Sequence, residues 1–265
     1  MTENLRPSAV LTVERRGHVL LMGLNRPAKR NAFDMELLRA LGNAYYVLET
    51  DDDLRCGVLY GHGANFTGGL DLADVLPQIT DSSVDWAEDE LNPVSTTGPA
   101  RTTPVVAAVH GWSMTIGIEL LLAADVRIAA ADAQFAQMEV QRGIFPLGGA
   151  TYRLPREAGW GNAMRWLLTG DPFDANEALR LGLVQEVVEP GRQLERALEL
   201  AERISEQAPL GIEATMASAR RAINDGEVVA GEAIRADLRR LVTSEDAREG
   251  MLSFLERRPA RFTGR

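Results

Sequence analysis

Two short segments constrain this chain more than anything else in it. One is Gly61-His62-Gly63-Ala64-Asn65-Phe66-Thr67-Gly68-Gly69-Leu70-Asp71-Leu72. The other is His110 to Leu120, which ends Gly117-Ile118-Glu119-Leu120. Each reads as a strand, a tight turn and the start of a helix. A turn of this kind leaves backbone N–H groups without internal partners and aims them at one point. Two such turns can hold a developing oxyanion between them. Glu119 stands beside the second turn, and Glu139 follows twenty residues on. Two amide donors with two carboxylates suit proton chemistry beside a carbonyl.

Neighbouring motif readings fail on single residues. Gly61-x-Gly63 begins like a dinucleotide fingerprint, but the third glycine position is Phe66. Gly111-Trp112-Ser113-Met114-Thr115 begins like a nucleophile elbow, but Thr115 replaces the closing glycine that the strained turn needs. Glu119 sits in the apolar run Ile116 to Leu122, where a carboxylate is costly to bury unless paired or protonated, so its pKa should be raised. Glu139 lies in half-apolar surroundings, and the plain alternative for either glutamate is an exposed helix residue or an ion pair with Arg142 or Arg153. His18, His62 and His110 receive no role, and no His, Cys and Asp residues have metal-ligand spacing. A Schiff base would have to use Lys29, the only lysine, and that charged loop offers nothing apolar to lower its pKa.

The order of elements predicts an α/β core. Val10–Glu14 and His18–Leu24 read as paired strands around Arg15-Arg16-Gly17. Asp34 can cap a helix whose apolar positions are Leu37, Leu38, Leu41, Tyr45 and Leu48. Cys56–Tyr60, Val105–Val109, Val126–Ala130 and Val184–Val188 read as further strands, and Gly117–Ala124 as a helix. Val75–Arg101 is acidic and rich in Pro, Ser and Thr, and reads as a mobile loop. Only helices follow Gln193: Leu194–Ile204, Leu210–Ile223, Val228–Val242 and Ala247–Phe254. The expected organisation is an α/β core over residues 1–190 and a helical C-terminal region over 191–265.

Bulk properties narrow the function classes. The net charge of −10 argues against a nucleic-acid-binding face, and an anionic ligand would need a local cationic patch. No apolar run is long enough to span a bilayer, and the first residues show no secretory signal. The single Cys56 fits a reducing cytoplasm.

Taken together, these motifs resemble the crotonase superfamily, the enoyl-CoA hydratase/isomerase group, over residues 8–265. The resemblance rests on Leu24-Asn25-Arg26-Pro27 with Asn31-Ala32-Phe33, on Phe66 to Leu72, on Ala108-Val109-His110-Gly111, and on Gly117 to Leu120 with Ala124-Asp125. It continues through Ala133-Gln134-Phe135 to Glu139, Pro146 with Gly148-Gly149, Ala178 to Val184, and Phe254 to Arg258 with Phe262. It implies a spiral of ββα units with a helical trimerisation region, and homotrimers or hexamers. It also implies hydration of a 2-enoyl-CoA, with isomerisation, another thioester reaction or weak acyl-CoA binding as alternatives. Coenzyme A would then be part of the substrate, with no bound cofactor. Oxyanion-hole N–H groups would fall on Leu70 and Ile116, the catalytic pair on Glu119 and Glu139, and coenzyme A contacts on Arg26, Lys29 and Arg257. Trp112 and Leu147 would line the substrate pocket. Thr115-Ile116-Gly117 stands where the family commonly has three glycines, which adds bulk near the thioester. Leu147 stands where a glycine often follows the loop proline, which narrows the water site.

Overall fold

A computed structural model describes residues 5–78 and 84–265. The hairpin β1 (Leu11–Arg16) and β2 (Val19–Leu24) leads to α1 (Met35–Thr50), then β3 (Cys56–Gly61) and the one-turn α2 (Leu72–Val75). Next come β4 (Val105–Val109), β5 (Trp112–Met114), α3 (Ile116–Ala123), β6 (Val126–Ala130) and β7 (Gln134–Ala136). After α4 (Ala150–Ala158) and α5 (Trp160–Leu167) come β8 (Phe173–Asp174), α6 (Ala175–Arg180) and β9 (Glu186–Val188). Helices α7 (Gln193–Ser205), α8 (Pro209–Asp225), α9 (Glu227–Val242) and α10 (Glu245–Glu256) close the chain.

Six strands form one sheet in the order β1-β2-β3-β4-β6-β9, parallel except for the β1–β2 hairpin. Every residue of β2 is buried, as expected for a strand covered on both faces. Alternation then divides its side chains. Leu20, Met22 and Leu24 join the core under α1 and α3, while Val19 and Leu21 meet Ala197 and Ala201 of α7. Asp34 accepts the Leu37 N–H at 2.9 Å and caps α1, as its position predicts.

The spiral is visible in the second layer. After β2, β3, β4 and β6 the chain makes a short contact outside the main sheet before it enters a helix. Phe33 bridges Leu70, Thr67 bridges Ser113, β5 pairs with β7, and β7 pairs with β8. Each turn therefore takes its register from the next.

Three features differ from the sequence expectation. The three-residue strands β5 and β7 are too short to show alternation. Helices α4 to α6 fill a stretch that lacks a long apolar stripe. The segment read as a mobile loop is instead anchored where it is described, residues 79–83 lying outside the described residues. Its buried Glu90 accepts hydrogen bonds from Arg6 (2.8 Å), Arg39 (2.9 Å) and the Ala87 N–H (3.0 Å). Leu91 donates to the Gly42 carbonyl at 3.0 Å, and Arg153 donates to the carbonyls of Val94 and Ser95 at 2.6 and 2.8 Å. Two guanidinium groups compensate one buried carboxylate, which polar composition alone does not reveal. The switch to helices falls at Gln193, yet α7 packs on the sheet and completes the core.

Candidate active site

From Phe66 to Asp71 the first turn uses every amide but one. Phe66 donates to His110 O, Thr67 to Trp112 O and Gly68 to Arg30 O. Gly69 donates to Thr67 Oγ1 at 3.1 Å, and that hydroxyl donates to Asn31 O at 2.7 Å. Asp71 donates to Phe33 O, and Leu70 N–H alone has no partner among the described residues. A fully buried Asn31 braces this turn from beneath. It accepts the Arg26 N–H and donates to the carbonyls of His62 and Asn65, each at 2.8 Å.

The second turn is built against the first. Trp112 N–H is held by Asn65 Oδ1 at 3.0 Å, Met114 N–H by Thr67 O, and Thr115 N–H by Ala136 O. Ile116 N–H, at the start of α3, has no partner among the described residues. The peptides preceding the two free amides lie against each other: a Cβ placed on Gly69 (φ +99°) would meet Thr115 Oγ1 at 2.6 Å. A Cβ on Gly117 would meet Ser113 Oγ and Thr67 Cγ2, both at 2.6 Å. The glycine retained in Thr115-Ile116-Gly117 is therefore the one at which the turns touch.

The two residues that replace glycine have separate consequences. Ile116 is 6% exposed and packs into the core. Thr115 is held at φ 48°, ψ −109°, a conformation unfavourable for a β-branched residue. Thr115→Gly should accordingly raise unfolding free energy by about 1 kcal/mol, read as a higher denaturant midpoint at unchanged slope.

The carboxylates come from the next two elements. Glu119 is 4% exposed on α3 and accepts the Gly148 N–H at 2.6 Å and the Ala150 N–H at 3.4 Å. A Cβ on Gly148 would strike the Glu119 carboxyl carbon at 2.7 Å, so only glycine allows this approach. Burial pushes the Glu119 pKa up to about 7, and the facing charge of Glu139 adds to the rise. Glu139 opens a 3-10 turn (Glu139–Arg142) and its pKa is also raised by burial, against the opposing pull of its own amide and Gln137. Glu139 forms no ion pair with Arg142 or Arg153 among the described residues.

The cationic residues separate. Arg26 is spent internally, on Asp34 at 2.7 Å, Asp71 at 3.5 Å and the Ala32 carbonyl, so its charge is already balanced and it orders the loop. Lys29 and the neighbouring Arg30 are exposed beside it and carry no ion pair among the described residues. The structure does not tie Arg257 to them. Arg257 is exposed at the end of α10, and the tail beyond it is anchored by Arg55 to the Phe262 carbonyl, beside the start of β3. That is the opposite end of the strand from the turns. Trp112 is half-buried on β5, and Leu147 is 65% exposed, its side chain outside the packed Glu119 pocket. Gln137 and the Gly148 amide escaped the sequence reading, because their partners are defined only by folding. Among the described residues no three His, Cys, Asp or Glu side chains are grouped to hold a metal ion.

Comparison with known proteins agrees with this architecture. The enoyl-CoA hydratase/isomerase family model matches residues 14–265. The chain is 36% identical over 261 residues to the enoyl-CoA hydratase EchA19 of Mycobacterium tuberculosis, covering 96% of both chains. It is 31% identical to the short-chain-enoyl-CoA hydratase of Clostridium acetobutylicum, covering 93% and 94%. A crystal structure of a probable enoyl-CoA hydratase/isomerase from Mycobacterium abscessus superposes with a TM-score of 0.95 at 52% identity, covering 97% of this chain and 99% of that one. With the fold, the paired turns and the matched length in agreement, the chain belongs to the enoyl-CoA hydratase/isomerase family.

Proposed function

We propose that this enzyme adds water across the 2,3 double bond of an enoyl-CoA thioester, with no cofactor beyond the coenzyme A of the substrate. The observation that carries the reading is the pair of amides without a partner among the described residues, Leu70 and Ile116, on abutting turns, with Glu119 close enough to Glu139 for the charge of the second to raise the pKa of the first. The amides polarise the thioester carbonyl and stabilise the enolate-like charge as it develops. The raised pKa values of Glu119 and Glu139 suit a pair in which one member acts protonated and the other ionised. The ionised member takes a proton from water as its oxygen bonds to C3, and the protonated member gives a proton to C2. The pair ends with the proton count it began with. Two carboxylates favour hydration over isomerisation, which needs only one group to shuttle a proton.

Lys29 and Arg30, which carry no ion pair among the described residues, are the candidate phosphate contacts, with Arg26 ordering their loop. Arg257 joins them only if α10 of an associated copy brings it there. The exposed apolar residues Ile234 and Leu238 of α9 and Phe254 and Leu255 of α10 support a homotrimer or a pair of trimers. Trp112 and Leu147 would border the acyl group. The buried, unpaired Cys56 fits a reducing cytoplasm, and no described helix is long and apolar enough to cross a membrane.

Purified protein should convert crotonyl-CoA to 3-hydroxybutyryl-CoA, followed by loss of the enoyl thioester absorbance. Absence of hydration across short, medium and branched 2-enoyl-CoAs, with turnover of a 3-enoyl-CoA, would overturn the reading. The double variant Lys29→Ala/Arg30→Ala should raise KM about tenfold with kcat unchanged, since phosphate contacts of this kind bind ground and transition states alike. It should also lessen the dependence of KM on salt.

A further inference from the structure

A side chain with no role so far stands directly against the candidate base. Gln137 follows β7, is 1% exposed, and donates from Nε2 to Glu139 Oε1 at 2.8 Å. Its own Oε1 and the remaining Glu139 oxygen, Oε2, are both buried without a partner. The preceding residue is equally engaged, because the Ala136 carbonyl holds the Thr115 N–H at 2.8 Å, one peptide from the free Ile116 amide. The segment 136–139 therefore connects the two halves of the site. On its far side Gln141 donates to the Thr169 carbonyl at 2.9 Å, which anchors the 3-10 turn.

We infer that Gln137 is a positioning residue: its amide N–H fixes the Glu139 carboxylate through Oε1 and leaves Oε2 as the oxygen that meets the reacting water. The inference rests on the hydratase reading. A hydrogen bond to a carboxylate favours its charged form, and here it is the single side-chain donor that Glu139 has among the described residues. The charged groups around Glu139 are few. Its own charge disfavours ionisation of Glu119 on α3, Arg142 on its own turn is exposed, and Arg153 of α4 acts on Glu119. Gln137 thus favours Glu139 as the ionised member of the pair. Its exposure of 1% and its two anchored flanks leave it little freedom to do otherwise.

Two variants of opposite sign test this. Gln137→Met keeps the volume and removes the donor, so kcat for crotonyl-CoA hydration should fall roughly tenfold to a hundredfold near pH 7 with little change in KM. The acid limb of its pH profile should move upward, so that the deficit narrows as pH rises. Gln137→Glu can donate only when protonated, so its activity should be recovered on lowering the pH instead. Wild-type rates in both variants, or an equal loss at every pH in both, would overturn the inference. A wild-type enzyme that does not hydrate at all would instead remove the hydratase reading beneath it. Should Gln137→Met fail to fold, the direction of the Gln137→Glu profile decides alone.

Discussion

Glu119→Gln and Glu139→Gln should each lower kcat for crotonyl-CoA hydration by roughly a hundredfold to ten-thousandfold, the range typical for loss of a general acid or base. The two variants should part company in stability. The Glu119 pKa is raised from the ordinary 4.5 to about 7, chiefly by burial. A carboxyl whose folded pKa lies above its unfolded value loses stability as pH climbs from one to the other, because only the unfolded chain can then ionise freely. The rise corresponds to about 3 kcal/mol, absent below pH 4.5 and complete above pH 7. Glu119→Gln cannot ionise. It should therefore match wild type in stability at pH 4.5 and exceed it at pH 8 by up to about 3 kcal/mol. Chemical denaturation at both pH values, beside the rate assay, checks the pairing of lost activity with gained stability. A variant equally stable at both pH values relative to wild type would contradict the burial argument, whatever its rate.

Gly69→Ala should damage both the activity and the stability of the protein. Gly69 sits at φ +99°, where an L side chain is strained, and the new Cβ would lie 2.6 Å from Thr115 Oγ1. The relief available is to spread the two turns, which separates the Leu70 and Ile116 amides. Loss of one such donor typically costs about 3 kcal/mol in the transition state, a hundredfold to thousandfold in kcat. Stability should fall by about 2 kcal/mol from strain and contact together. The double variant Gly69→Ala/Thr115→Gly removes the hydroxyl that the methyl would strike. It should recover part of both losses, and the coupling energy of the cycle measures how closely the turns are held. Additive effects would mean that the turns are not in mechanical contact.

Much of this molecule is legible in its residues. The strand Val105–Val109 appears with the bounds that its composition suggests, because a parallel strand buried on both faces reads as an unbroken apolar run. Asp34 announces α1, and the apolar setting of Glu119 announces its raised pKa. The remainder depends on residues far apart in the chain. The partner of Glu119 is an amide 29 positions away, at Gly148. Arg26 looks like a free cation until Asp34 and Asp71 arrive beside it. Glu90 makes an apparently loose segment part of the packed structure only when Arg6 and Arg39 are both in place. Strands β5 and β7 are three residues long, below the length at which alternation can be recognised.

The hydrogen-bond ladder from Phe33 through Leu70, Thr67, Ser113 and Ala136 has an evolutionary corollary. An insertion between Gly61 and Leu70, or between Val109 and Ile116, shifts the register of every later rung and cannot be absorbed where it occurs. An insertion within residues 84–100, or near Trp160, leaves the rungs untouched. Lineages built on this scaffold can therefore lengthen or vary those outer segments, while the paired turns must descend almost unaltered.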